Sequence, residues 1–150
     1  MADVSPQMAH ALPPGTVSPI GAQYGHVITA EDLFVSIITG GTPLCAADFA
    51  NQTGISEPMP LNPMWGEWAR RVRIDLPVVR AYAHAVYAAT DAMLAAMTEQ
   101  DLGRDVKLPI AGAGSATIRQ LLGNLLLNAY SHAGEISCLK GLLGQRGYPS

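Results

Sequence analysis

TIRQLLGNLLLNAYSHAGEISCLKGLLG, residues Thr117–Gly144, decides the fold. Apolar residues recur at Ile118, Leu121, Leu122, Leu125, Ala129, Ile136, Leu139 and Leu143. That is one face of a 3.6-residue period, sustained for about seven turns. Two polar residues, Asn128 and His132, interrupt this face. They are four apart, so one is stacked a turn above the other. A side chain at either position points into whatever the helix packs against, and a core-facing stripe that carries an Asn and a His asks for a reason.

Upstream, the same period returns twice. Ile20–Thr39 reads as a helix with its stripe at Ala22, His26, Ala30, Leu33 and Ile37, stopped by Gly40-Gly41 and Pro43. A second helix is predicted from Asp75 to Thr98, with Asp75 as N-cap and Pro77 tolerated in the first turn. Its stripe is Val79, Tyr82, Ala83, Val86, Ala89, Met93 and Met97; His84 falls off it and reads as a surface residue. Between these helices, one short turn (46–51) precedes a crossover rich in proline (Pro58, Pro60, Pro63). Met64–Arg73 is a short amphipathic stretch whose Trp65 and Trp68 are expected over the core, with one indole lining a pocket as the alternative. Residues 1–19 hold Pro6, Pro13, Pro14 and Pro19 and read as an extended lead-in, in which His10 receives no role. Glu99–Gly114 is a Gly/Pro-rich loop, and Ser115 or Thr117 could cap the last helix. Its GAGS run has neither the preceding strand nor the Lys of a phosphate loop. No segment shows period-two alternation. The fold class is therefore all-α in one domain over residues 1–150: three long helices, one or two short ones and two long crossovers.

Composition narrows the function. Charged residues make up 14% and hydrophobic ones 49%, against roughly 25% charged in ordinary soluble domains. So little charge suggests a helical face buried in an oligomer. Residues 1–69 carry six acids and no Lys or Arg; the remainder carries six acids and all nine basic residues. The only basic cluster, Arg70, Arg71 and Arg73, lacks interleaved aromatics, which argues against nucleic acid as a partner. The first positive side chain is Arg70, so no targeting peptide is expected. The longest uncharged runs, Leu33–Ala47 and Gln120–Gly134, are shorter than the ~20 apolar residues of a membrane span. Cys45 and Cys138 form neither a disulfide framework nor a metal-ligand spacing, as expected of reduced thiols in a cytoplasmic protein.

The chemistry concentrates on His26 and His132, core-facing residues of two distant helices. Neutral imidazole is the commonest ligand for zinc, nickel and related ions, and facing helices are where such sites are built. Asn128 is the third candidate, because residues i and i+4 can share one ion. The competing reading is a buried Asn–His pair that satisfies itself by a hydrogen bond. Other chemistries fit less well. Glu135 gives His132 an H-x-x-E spacing, but a di-iron bundle needs E-x-x-H twice. Ser131 points to a different face from His132, and Glu31 lies about 140° round the helix from His26.

Three segments carry a resemblance. NAYSHAGEISCLKGLLGQRGYP (Asn128–Pro149) is similar to the C-terminal signature of the DinB/YfiT-like superfamily. GTVSPIGAQYGHVITAEDLF (Gly15–Phe34) resembles the helix that carries that family's first histidine, and DLGRDVKLP (Asp101–Pro109) sits in matching order. The resemblance implies a four-helix bundle with long crossover connections, frequently a homodimer, holding a divalent zinc or nickel ion on three histidines. Carried over by position, His26 matches the first ligand and His132 the last, while Asn128 stands at the middle position. An amide is a weaker ligand than imidazole for such ions, so the resemblance implies a weakened metal site. Relatives of this kind include thiol-dependent S-transferases and isomerases that use glutathione, mycothiol or bacillithiol. The resemblance thus implies a metal-dependent transferase or hydrolase acting on a small molecule, with a thiol cofactor the sequence does not name. The alternative is a non-catalytic bundle that binds a small molecule or a partner without metal.

Overall fold

The computed structural model describes residues 1, 3–60, 65–109 and 114–148. In chain order its helices are α1 (Pro6–His10), α2 (Ile20–Thr39), α3 (Trp65–Arg71), α4 (Leu76–Ala96) and α5 (Ile118–Leu142). A short antiparallel pair, β1 (Asp105–Lys107) and β2 (Ser115–Thr117), leads into α5. Three helices are long and two short among the described residues, so the all-α reading holds. Pro63 and Met64, placed by sequence in the crossover and at the start of the tryptophan helix, lie outside the described residues, as does the first half of the GAGS run.

The helix ends follow local chemistry. Gly40 takes φ 73°, the left-handed conformation that closes α2, and its N–H donates to the Ser36 carbonyl. Asp75 caps α4 by accepting from Val78 N–H. At α5, Thr117 accepts from Gln120 N–H at 3.2 Å and Gln120 Oε1 accepts from Thr117 N–H at 2.9 Å, a reciprocal capping box. The β-pair was not legible because its strands are three residues long, too short to show alternation. Val106 of β1 is buried in the cluster formed by Val35, Ile38, Met93, Ile118 and Leu121.

Helix α2 packs against both α4 and α5, and this corrects its stripe. Gly21, Gly25, Ile28, Asp32 and Val35 are buried together with Ala22, Gln23 and Ala30, whereas His26, Leu33 and Ile37 are half-buried. A helix held between two others buries more than one stripe, so a single-face reading picks the wrong centre. Gly21 is needed for a close approach: a Cβ there would stand 2.9 Å from the Ala9 carbonyl of α1. The lead-in is also not wholly extended. Ser5 caps α1, Pro6 opens it, and His10 has a definite role. Its Nε2 accepts from Ile74 N–H at 2.9 Å and its Nδ1 donates to the Pro6 carbonyl at 2.8 Å, fastening the lead-in to the body.

The Asp75–Thr98 stripe fares better: Val79, Tyr82, Ala83, Val86 and Met93 are buried, and His84 is exposed as expected. Ile28, Val79 and Val86 are fully excluded from water, each worth about 1.5–3 kcal/mol relative to exposure. On α5, Ile118, Leu121, Leu125 and Leu139 are buried, but Leu143 is 42% exposed. Asp32, unremarked in the sequence, is 3% exposed. Its carboxylate accepts from Leu44 N–H and Cys45 N–H, both at 2.8 Å, and from the Tyr82 hydroxyl at 2.7 Å. It therefore ties α2 to the turn Leu44–Ala46 and to α4 at once. Burial, with this carboxylate beside it, pushes the Tyr82 phenol far above its ordinary value.

Replacing Asp32 with Ala strands three buried donors. The expected loss is on the order of 3 kcal/mol in urea unfolding. Tyr82→Phe, which removes a single donor and leaves the turn held, should cost about 1 kcal/mol; equal losses for the two variants would contradict this division of roles.

Candidate functional site

Helices α2 and α5 bring His26, Asn128 and His132 together. His26 Nε2 faces Asn128 Oδ1 at 3.2 Å. The His26 and His132 ring centroids are 4.8 Å apart at an interplanar angle of 71°, an edge-to-face contact. All three side chains are half-buried. Residues more than a hundred positions apart in the chain thus lie side by side. Glu31 is not part of the group; it accepts from Thr90 Oγ1 at 2.6 Å, between α2 and α4. Ser131 is exposed, and so is Cys138.

Four further residues complete the site. Trp65 of α3 packs against His26 with centroids 4.7 Å apart, while Trp68 is in the core and donates through Nε1 to the Glu57 carbonyl. The indole that lines the site is thus Trp65. Met59 Sδ faces His26 Nδ1 at 2.8 Å. Glu135 Oε2 accepts from His132 Nδ1 at 2.8 Å, and Gln23 Oε1 lies 3.4 Å from the same nitrogen. Glu135 had a signal in the H-x-x-E spacing, which places it on the histidine's own face. Gln23 sits three residues before His26 and could have been found by the same arithmetic. Met59 and Trp65 arrive from the crossover and the short helix, which no periodicity links to the site.

Burial holds His26 below the ordinary histidine value; the Asn128 hydrogen bond opposes that shift, and the neighbouring His132 reinforces it. A neutral imidazole is the form that binds metal. Among the described residues no group of three or more His, Cys, Asp or Glu is disposed to hold a metal ion; a His–Asn–His set has only two members of those types. The spacing of one donor pair would suit a divalent ion. Two ligands of one tetrahedral ion with bonds near 2.1 Å stand about 3.4 Å apart, close to the 3.2 Å between His26 Nε2 and Asn128 Oδ1. With the proton of His26 on Nδ1, toward Met59, Nε2 and Oδ1 would present lone pairs to each other, an arrangement that a cation relieves. With the proton on Nε2 the same pair is an ordinary hydrogen bond. In either case Asn128 Nδ2 is buried without a partner, at a cost of about 1–3 kcal/mol.

A helical bundle with a histidine-lined site between its second and last helices is the class this geometry defines. The chain belongs to the DinB superfamily: the family model matches residues 1–136. That match takes in His26, Asn128, His132 and Glu135 but stops short of the C-terminal end of the segment quoted above. A crystal structure of a conserved protein from Enterococcus faecalis superposes with a TM-score of 0.78 at 17% identity, covering 96% of this chain and 86% of that one. At that identity the likeness concerns the fold. Among curated proteins no match was found.

Followed by NMR, the His26 ring should titrate below the ordinary histidine value, and Asn128→Ala should lower it further by removing the opposing hydrogen bond. Because folded His26 loses its proton at lower pH than the unfolded chain does, its share of stability is full above the unfolded value. That share is lost as the pH falls toward the folded one. A His26 titrating at or above its unfolded value would contradict the assignment of burial as the dominant cause.

Proposed function

We propose that this DinB superfamily chain is a metal-dependent enzyme, a transferase or hydrolase acting on a small molecule, with a weakened site for zinc or nickel. The observation that carries the reading is the convergence of His26 Nε2, Asn128 Oδ1 and the His132 ring in one half-buried cluster. His26 and His132 would supply imidazole nitrogens, and Asn128 would supply its carbonyl oxygen. A bound divalent ion lowers the pKa of a coordinated thiol or water and so generates a nucleophile at neutral pH. Trp65 and Met59 wall the His26 side and limit the access of bulk water. Glu135 holds the outer nitrogen of His132, as the carboxylates behind ligating histidines do. Thiol-dependent S-transfer fits such a site, with the thiol supplied by a low-molecular-weight cofactor.

A second reading, a non-catalytic small-molecule or partner-binding bundle without metal, is favoured by one observation. His26 and Asn128 can satisfy each other as a neutral hydrogen-bonded pair. The two readings separate in elemental analysis of protein purified without a nickel column. Under the metal reading, zinc soaking should bring occupancy near one equivalent, and Asn128→His should tighten binding by on the order of tenfold or more. Less than about a tenth of an equivalent after soaking sinks the metal reading.

We also propose a homodimer through the outward face of α5. Leu126, Leu127 and Tyr130 are 70%, 65% and 79% exposed, side by side on that face. No described helix is long and apolar enough to cross a membrane, so this face needs another cover. Two unpaired cysteines fit a reducing compartment such as the cytoplasm. Light scattering should give twice the chain mass, and Leu127→Asp with Tyr130→Asp should give a folded monomer; a monomeric parent chain refutes the dimer.

A further inference from the structure

We infer that Gln23 is a positioning residue for His132, fixing which of its two ring nitrogens carries the proton and leaving Nε2 as the donor atom of the site. The inference deepens the metal reading above and rests on it only for the affinity arm of its test.

Gln23 is 1% exposed, an unusual burial for a carboxamide on a helix. Its Nε2 donates to the Ser18 carbonyl at 2.9 Å. A carbonyl oxygen can only accept, so it dictates which end of the amide is which. The Oε1 end is then the one turned toward His132 Nδ1, at 3.4 Å. A carbonyl oxygen there is matched by hydrogen on Nδ1. Glu135 makes the same demand from the other side: its carboxylate oxygen is 2.8 Å from Nδ1. Two acceptors on separate helices thus specify one tautomer, the Nδ1–H form, and the lone pair is left on Nε2. They differ in rigidity. The Glu135 side chain is 53% exposed and free to leave; Gln23 is locked in the interior by Ser18. The short bond is made by the mobile partner and the long one by the fixed partner, so Gln23 keeps the ring in register whenever Glu135 swings into solvent.

The test reads the tautomer directly. Long-range proton–nitrogen correlation spectra of metal-free, 15N-labelled chain at alkaline pH distinguish a protonated from an unprotonated ring nitrogen. His132 should show Nδ1 protonated and Nε2 bare. Glu135→Ala should keep that pattern, because Gln23 still accepts. Adding Gln23→Met, which conserves volume and removes the acceptor, should turn the population toward the Nε2–H form that free histidine favours. Wild-type His132 in the Nε2–H form overturns the inference. So does a Glu135→Ala spectrum that has already switched, since Glu135 would then act alone; this variant is a surface change and decides the matter even where the double variant fails to fold. In a chelator-competition assay Gln23→Met should weaken zinc by about 10–100-fold. A wild-type chain that binds no zinc yet keeps the Nδ1–H form removes the metal reading and leaves the role of Gln23 standing.

Discussion

Everything in this molecule depends on α2 being held between two long helices. A helix with one partner can hide its polar residues on the outer face; α2, packed on α4 and on α5, has little outer face to use. Each polar side chain it carries must find a partner in the interior. Asp32 finds one toward α4, in the Tyr82 hydroxyl, and two more in the turn at Leu44 and Cys45. Gln23 and His26 find theirs toward α5, at His132 and Asn128. Six residues separate His26 from Asp32, or about 600° of rotation, which sends the two side chains to different neighbours. The structural clamp and the candidate site are thus built on one rod and kept apart by its pitch.

These two polar clusters are satisfied to different degrees. Asp32 has three donors. The His26 cluster leaves Asn128 Nδ2 without a partner and sets His26 Nδ1 against a thioether, a weak acceptor. Natural cores rarely keep an unsatisfied polar group without cause. A complete cluster rigidifies a fold, whereas an incomplete one stores the capacity to bind. That contrast, more than the presence of two histidines, separates the α2–α5 cluster from the α2–α4 one.

Much of this was legible in the sequence. The stripe from Ile118 to Leu139 and the positions of Asn128 and His132 on it follow from period alone, and so does the Val79–Met93 stripe of α4. His26 lies beside Asn128 and His132 even though the most buried face of α2 is centred elsewhere, because it sits along an edge of that face. The residues that escaped fall into two kinds. Trp65 and Met59 come from segments whose direction is set by packing, and a twenty-residue crossover carries no period from which to infer it. Asp32 and Gln23 escaped because polar residues in a helix are read as outward by default; only the second packing partner of α2 turns them inward. His10 escaped for a third reason: a short proline-opened turn contains too few residues to show any pattern, yet its ring accepts a backbone N–H from Ile74.

The amide at position 128 changes more than ligand strength. An asparagine side chain is shorter than a histidine, so the donor oxygen at this position stands closer to the α5 backbone than an imidazole nitrogen there would. The oxygen is also a harder donor, which would move the preference of the set from zinc and nickel toward harder ions such as manganese. The site gains no charge by the exchange, since amide and imidazole are both neutral, and among the described residues the carboxylate hydrogen-bonded to it is Glu135, behind His132. An ion here would keep nearly all of its positive charge. Such an ion polarises whatever fills its open positions more strongly than one neutralised by acidic ligands. Weak retention would follow from the replacement and strong polarisation from the neutrality of the whole donor set, so a low resting occupancy would say little about how reactive the loaded site would be.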